Sequence, residues 1–240
     1  MSRQAASFVC PPPSTCSPSS RALPALITVY GEGRGFRVVW LLEEMGLPYR
    51  LRDVDLLTGV ENDPEFLAVN PAGYIPALVD GDATLVESIA IMEYLIARYG
   101  PTPLAPAPSD PSFPAYQQFL HLGEAGLMMP MYMTRLSRVI APEAERNDWT
   151  AREGVEIFKS RLALVSRQLN KTPYLAGETF TAADISVAYT LIWVQRCKLF
   201  DLAEPELAYI QRTTARDGYK RTMAACHATR GWAEQVEAAG

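Results

Sequence analysis

"NPAGYIPALVDGDATLVESIAIMEYL" runs from Asn70 to Leu95. Asp80-Gly81-Asp82 is a tight-turn signal between two short apolar runs, PALVD and ATLVE, so the spacing predicts an antiparallel pair. Past Ser88 the apolar residues Ile91, Met92, Leu95, Ile96 and Tyr99 recur at helical intervals and predict a helix. Two features stand where one element gives way to the next. Pro76 opens the first strand, a place that needs no ladder donor. Glu87-Ser88 falls between the second strand and the helix, where a hydroxyl caps and an acid suits the helix dipole. Each is ordinary turn chemistry taken alone. Together, Glu87 and Ser88 offer an acceptor for an ammonium, and a hydroxyl with helix amides for a carboxylate, the two charges of an α-amino acid. If the bond before Pro76 is cis, the Ile75 amide and carbonyl turn outward, where an extended peptide can pair with them.

Upstream, LITVY (Leu26 to Tyr30) reads as a strand broken by GEGRG. From Phe36 the residues Val38, Val39, Leu41, Leu42 and Met45 keep helical spacing, and Gly46 sits where a glycine stops a helix. YRLRDVDL (Tyr49 to Leu56) alternates as a half-buried strand does. The opening is therefore β-α-β, with parallel strands joined by a crossover. A polar connection, TGVENDPEFLAVNPAG, has room for one helical turn before the hairpin. Residues 26–100 form a small α/β domain on this reading. A proline-rich stretch, 101–113, is a linker. Residues 114–235 carry no strand pattern and read as helices: Ala115 to about Val139 with a kink at Pro130, Trp149 to Leu169, one starting at Thr181, and one or two after Pro205. Thr181 and Asp184 have capping-box spacing, and Phe180 with Ile185 forms a hydrophobic staple.

Composition narrows the class. The chain has 240 residues, 48% hydrophobic and 20% charged, with net charge -5, which is ordinary for a soluble globular protein. Clustered Lys and Arg, the footprint of nucleic-acid binding, are missing, and no apolar run approaches the roughly 20 residues of a membrane helix. The four cysteines, Cys10, Cys16, Cys197 and Cys226, form neither a Cys-x-x-Cys pair nor a zinc pattern, so no metal is implied and a reducing, cytoplasmic setting is expected. Residues 1–25, rich in Pro and Ser and without a signal-peptide core, read as a disordered tail.

The Gly-rich turn ahead of Phe36 invites a dinucleotide reading, with Asp53 and Asp55 downstream. It fails because Phe36 occupies the third glycine's place and the sheet turns antiparallel too early. What survives is a helix N-terminus whose free amides, with Arg34, lower the pKa of a thiol held there.

NPAGYIPALVDGDATLVESIAIMEYLIARYG resembles the glutathione-binding half of the glutathione S-transferase family, whose stretch reads roughly N-P-x-G-x-V-P-x-L, a short acidic hairpin, then L-x-E-S-x-A-I-x-x-Y-L. RVVWLLEEMGLPY resembles the family's first helix, and PYLAGETFTAADISVAYTL its second-domain capping segment. The resemblance implies an α/β thioredoxin-like N-terminal domain followed by an all-α C-terminal domain. It implies that Glu87 and Ser88 bind the γ-glutamyl head of glutathione and that the Ile75 backbone, beside a cis Pro76, pairs with the cysteinyl residue. The thiol then lies over the Gly-rich turn at Gly33 and Arg34, the two candidate catalytic positions. The acceptor, a small apolar electrophile, would meet Met128, Met129, Tyr132 and Arg135 on the first long helix of the second domain, since methionines repack to suit varied ligands. A homodimer and a role in detoxification are also implied.

The turn departs from the family pattern: Gly31-Glu32-Gly33-Arg34-Gly35 carries none of the usual Tyr, Ser or Cys, and Tyr30 lies within the strand. Activation of the thiol would rest on backbone amides and Arg34, unless that arginine pairs with Glu32 or Glu44. Conjugation is the leading function. Ether cleavage or isomerisation, a non-catalytic glutathione- or ligand-binding protein, and thiol-disulfide exchange are the alternatives. The last is disfavoured because no Cys heads the first helix.

Overall fold

The computed structural model describes residues 26–55 and 59–229. The disordered-tail reading of 1–25 lies outside the described residues, as do Cys10 and Cys16. Four strands, β1 (Ile27–Tyr30), β2 (Tyr49–Arg52), β3 (Ala77–Asp80) and β4 (Ala83–Val86), make one sheet in the order β2-β1-β3-β4. β1 and β2 are parallel, whereas β1 with β3 and β3 with β4 are antiparallel. The parallel pair needs a crossover, supplied by α1 (Phe36–Met45). Gly46 ends α1 in the left-handed region at φ 65. Its N–H and that of Leu47 return to the carbonyls of Glu43 and Leu42 at 3.4 and 3.0 Å, satisfying carbonyls the helix leaves open.

β2 is shorter than the alternating pattern implied. It pairs only with β1, whose last residue, Tyr30, is in register with Arg52, so beyond Arg52 there is no ladder to extend. Arg52 instead donates to both oxygens of Asp63 at 2.7 Å. Asp63 also caps α2 (Pro64–Val69) by accepting from the Phe66 amide at 3.0 Å. The connection thus holds nearly two helical turns where one was expected; Asp-Pro-Glu at its head was the start signal. α3 (Ser88–Tyr99) buries Ile91, Met92 and Leu95 completely. Tyr94 and Tyr99 donate to Asp80 Oδ2 at 2.9 and 2.7 Å, tying α3 back to the hairpin.

After Tyr99 the chain runs without a regular element to α4 (Phe113–His121). It is anchored on the way, because Leu104 is buried and its carbonyl accepts from the Ala182 amide at 2.8 Å. α4 passes through π-type turns at Leu122–Met128 into α5 (Met129–Arg135). The expected kink is this widening: Pro130 has no N–H, and its ring excludes the carbonyl one turn back. α6 (Asp148–Leu169) starts on an Asn147 cap.

α7 (Ala182–Arg196) is buried on nearly every side. Its start is fixed as the Thr181–Asp184 spacing predicted, with Asp184 accepting from the Thr181 amide at 2.8 Å. The same carboxylate takes the Leu175 amide at 2.9 Å and the Tyr209 hydroxyl at 3.0 Å. Burial wins over these donors and pushes the Asp184 carboxyl up to about 6. Two helices follow, α8 (Glu204–Thr214), with Pro205 in its first turn, and α9 (Asp217–Ala225).

One apolar core joins the two halves. Trp40 of α1 is fully buried, 5.9 Å from the Phe180 ring and 4.9 Å from that of Tyr219. The architecture is a thioredoxin-like sheet-and-helix unit followed by an all-helical unit.

Candidate functional site

The site begins at the ends of β1 and β3, which lie side by side. The Ile75–Pro76 peptide bond is cis. Pro76 is buried and Ile75 half-buried. Among the described residues, no backbone hydrogen bond engages the Ile75 N–H or C=O. The Gly-rich turn packs against this pair. A Cβ on Gly31, whose φ is +79, would stand 2.3 Å from Ile75 Cγ2, and one on Gly35 would stand 3.2 Å from Pro76 Cβ. The alternating glycines are therefore explained by contact with Ile75 and Pro76; Phe36, in the third glycine's place, is a buried aromatic.

Glu87 and Ser88 occupy the head of α3. Glu87 is exposed, and its backbone sits at φ 69, ψ 109. Such a conformation costs a residue with a side chain on the order of 1–3 kcal/mol. The Tyr74 hydroxyl donates to Glu87 Oε1 at 3.5 Å. Ser88 is buried, and its Oγ accepts from Arg37 Nη1 at 3.3 Å. Because Arg37 donates, the serine's own hydrogen stays available to an acceptor. No side chain caps α3, so its first amides remain open to an anion.

Arg37 is a site residue that sequence reasoning missed. It is fully buried within the apolar run of α1. It donates to Thr190 Oγ1 at 3.0 Å and to Glu124, and lies 4.4 Å above the Tyr189 ring. Burial lowers its pKa, and the Glu124 carboxylate opposes that shift. The available signal was a charge inside a wholly apolar helix face, which demands a partner. That partner stands 87 residues away, beyond any local pattern.

Arg34 pairs with Glu124 through Nε at 2.7 Å, not with Glu32 or Glu44. Glu44 holds Arg216 at 2.8 and 2.7 Å. Glu32 is buried and accepts the amides of Ala228 and Thr229 at 3.0 and 2.6 Å. Glu124 thus stands between two arginines, one at the turn and one beneath Ser88. Tyr30 packs in the strand, its ring 6.2 Å from Phe66.

The four residues expected to meet an acceptor part company. Met128 is buried in the protein interior. Met129 is exposed with its sulfur 3.7 Å from Arg34, whose guanidinium lies 5.2 Å from the Tyr132 ring. Arg135 is half-buried, and its charge reaches Cys197. None of the four lines the cavity that opens on the other flank of the turn. That cavity, about 260 Å³, is lined by Glu32, Gly33, Phe36, Tyr189, Trp193 and Tyr219. Arg196 reaches it from the end of α7, and Ala228 and Thr229 border it. Among the described residues, no group of three or more His, Cys, Asp or Glu converges as a metal site.

Comparison with known proteins places the chain's two halves in one family. Residues 25–97 match the family model "Glutathione S-transferase, N-terminal domain" and residues 145–225 match "Glutathione S-transferase, C-terminal domain". Glutathione S-transferase 3 of Schizosaccharomyces pombe is 32% identical over 176 residues, 68% of this chain and 71% of the relative. Glutathione S-transferase 3 of Zea mays is 34% identical over 161 residues, 63% of this chain and 69% of the relative. The solved apo structure of glutathione S-transferase III superposes with a TM-score of 0.69 at 29% identity, covering 84% of this chain and 97% of the other. With its sheet order, its cis proline and its two matched halves, the chain belongs to the glutathione S-transferase family.

Proposed function

We propose that the protein binds glutathione along Ile75 and the head of α3 and transfers its thiolate to an electrophilic carbon of an apolar acceptor. The observation that carries this reading is the convergence of three open binding groups. They are the unpaired Ile75 backbone, the uncapped N-terminus of α3 with Ser88, and a turn pressed against both Ile75 and Pro76. Ser88 and the first α3 amides suit the γ-glutamyl carboxylate, and Glu87 suits its ammonium. The Ile75 N–H and C=O suit the cysteinyl backbone as an added extended segment. The thiol then faces the amides of the turn at Gly33 and Arg34.

Conjugation needs the thiol deprotonated, and amides at a helix entrance favour the thiolate. Arg34 adds positive charge, diminished by its pairing with Glu124. The thiolate attacks the acceptor carbon, a C–S bond forms, and the leaving group departs with its electron pair while the thiol proton passes to water. Holding both partners side by side supplies much of the acceleration. A homodimer in a cytoplasmic, detoxifying role belongs to the same proposal.

A second reading has one specific observation behind it. Gly31 to Gly35 carries no hydroxyl or thiol, which favours a different glutathione-dependent reaction or a binding protein without chemistry. Incubation with glutathione and 1-chloro-2,4-dinitrobenzene separates the readings. Conjugate formed above the uncatalysed rate supports transfer. Glutathione binding with no conjugate from this or other activated electrophiles overturns it.

A further inference from the structure

The cavity beside the turn has a charge pattern that names the kind of acceptor it takes. Its walls are aromatic: Phe36 stacks on Tyr189 with centroids 6.0 Å apart and meets Tyr219 edge-on at 5.7 Å, and Trp193 completes the lining. Flat aromatic walls favour a flat aromatic guest. Two charged side chains border the space, and they are not equivalent. Glu32 has its hydrogen bonding engaged within the fold, since each of its oxygens already accepts a backbone amide, from Ala228 and Thr229. Arg196 is half-buried on the last residue of α7, and its described hydrogen bond goes to a neutral atom, the Tyr219 hydroxyl, at 3.5 Å. Among the described residues no carboxylate pairs with it. The other arginines near the site have carboxylate partners: Arg34 and Arg37 share Glu124, and Arg216 pairs with Glu44. Among the described lining residues, Arg196 is therefore the charged side chain whose hydrogen-bonding fork is left open to a guest.

We propose that this cavity takes a planar aromatic acceptor bearing an anionic group, with Arg196 as the residue that selects the anion. The inference rests on the transferase reading for the guest's role as acceptor, but the cavity's preference is measurable without turnover. A half-buried guanidinium with a vacant fork favours a carboxylate through charge-assisted hydrogen bonds. Among the described residues, no hydrogen bond or ion pair joins Arg196 to the turn, Ile75 or Ser88, so it acts on the guest and not on glutathione.

The test is calorimetric titration of the full chain at pH 7 with 1-naphthoate and with 1-naphthamide, which share a shape and differ in charge. Naphthoate is expected to bind at least tenfold more tightly, and added salt should weaken naphthoate alone. Arg196→Gln should bring naphthoate down to the affinity of naphthamide while glutathione affinity stays within twofold. Arg196→Lys should keep part of the preference. Equal affinities in the unaltered protein, no binding of either, or an Arg196→Gln effect of the same size on both would overturn the proposal. If Arg196→Gln does not fold, the salt dependence and the naphthoate–naphthamide ratio of the unaltered protein still decide. Loss of glutathione binding in the unaltered protein, with the naphthoate preference intact, would instead count against the transferase reading alone.

Discussion

Glu87 holds a backbone conformation at φ 69 that glycine adopts freely and glutamate does not. The chain keeps a carboxylate there, at the head of α3. Replacing Glu87 with Gly should relieve strain on the order of 1 kcal/mol, less the added freedom of the unfolded chain. It should raise the thermal midpoint slightly and weaken glutathione binding several-fold. A variant that is both less stable and unchanged in binding would contradict the assignment. Glu124 makes a different case, because it neutralises the fully buried Arg37. Glu124→Gln leaves that guanidinium charged and unmatched, at a cost of about 3–5 kcal/mol, which denaturant unfolding will read directly. Arg34 is partly exposed and shares the same carboxylate. Arg34→Ala should therefore raise the pKa of bound thiol only modestly, seen in thiolate absorbance against pH; an unchanged titration removes Arg34 from activation.

At the scale of elements, two buried carboxylates hold backbone amides. Asp184 is buried at the start of α7, and its carboxyl is pushed up to about 6, above the roughly 3.9 of an unfolded chain. The sign follows: the protonated form is favoured by folding. The stability this group contributes is full below its unfolded value and is lost as pH rises through about 6. Carbon-13 detection of the Asp184 carboxyl should give a titration near 6 in the folded protein; ionisation at the unfolded value would show that its donors fully offset burial. Glu32 instead stays at the turn and binds the amides of Ala228 and Thr229. Glu32→Gln removes one of the two acceptors, at about 1–3 kcal/mol. The exchange of those two amides with solvent should quicken at least tenfold, with little change in α1. These element boundaries were legible in the sequence because they are local: Gly46 after α1, Thr181 and Asp184 at the start of α7, Asp80-Gly81-Asp82 between β3 and β4. The end of β2 was not, since its length is set by where β1 stops.

Across the whole molecule, α1 belongs to both halves, with Trp40 fully buried against Phe180 and Tyr219. The two halves should unfold in one transition, and Trp40→Ala should lower the stability of both together, by about 3–5 kcal/mol. The same long-range packing explains which parts of the site could be read from the chain alone. Ile75, Pro76, Glu87 and Ser88 lie within 14 residues of one another in a recognisable pattern. Arg37 with Glu124, Glu32 with the 228–229 amides, and the cavity walls join residues far apart in sequence, so no spacing rule reaches them. The most direct test of the central claim is a glutathione titration of nitrogen-15-labelled protein, following backbone amides. The account predicts that Ile75, Ser88, Ile89 and Gly33 shift together with a single dissociation constant, and that Ser88→Ala weakens it about tenfold, the loss of one hydrogen bond to a charged group. No shifts at millimolar glutathione, or shifts confined to other surfaces, would contradict it.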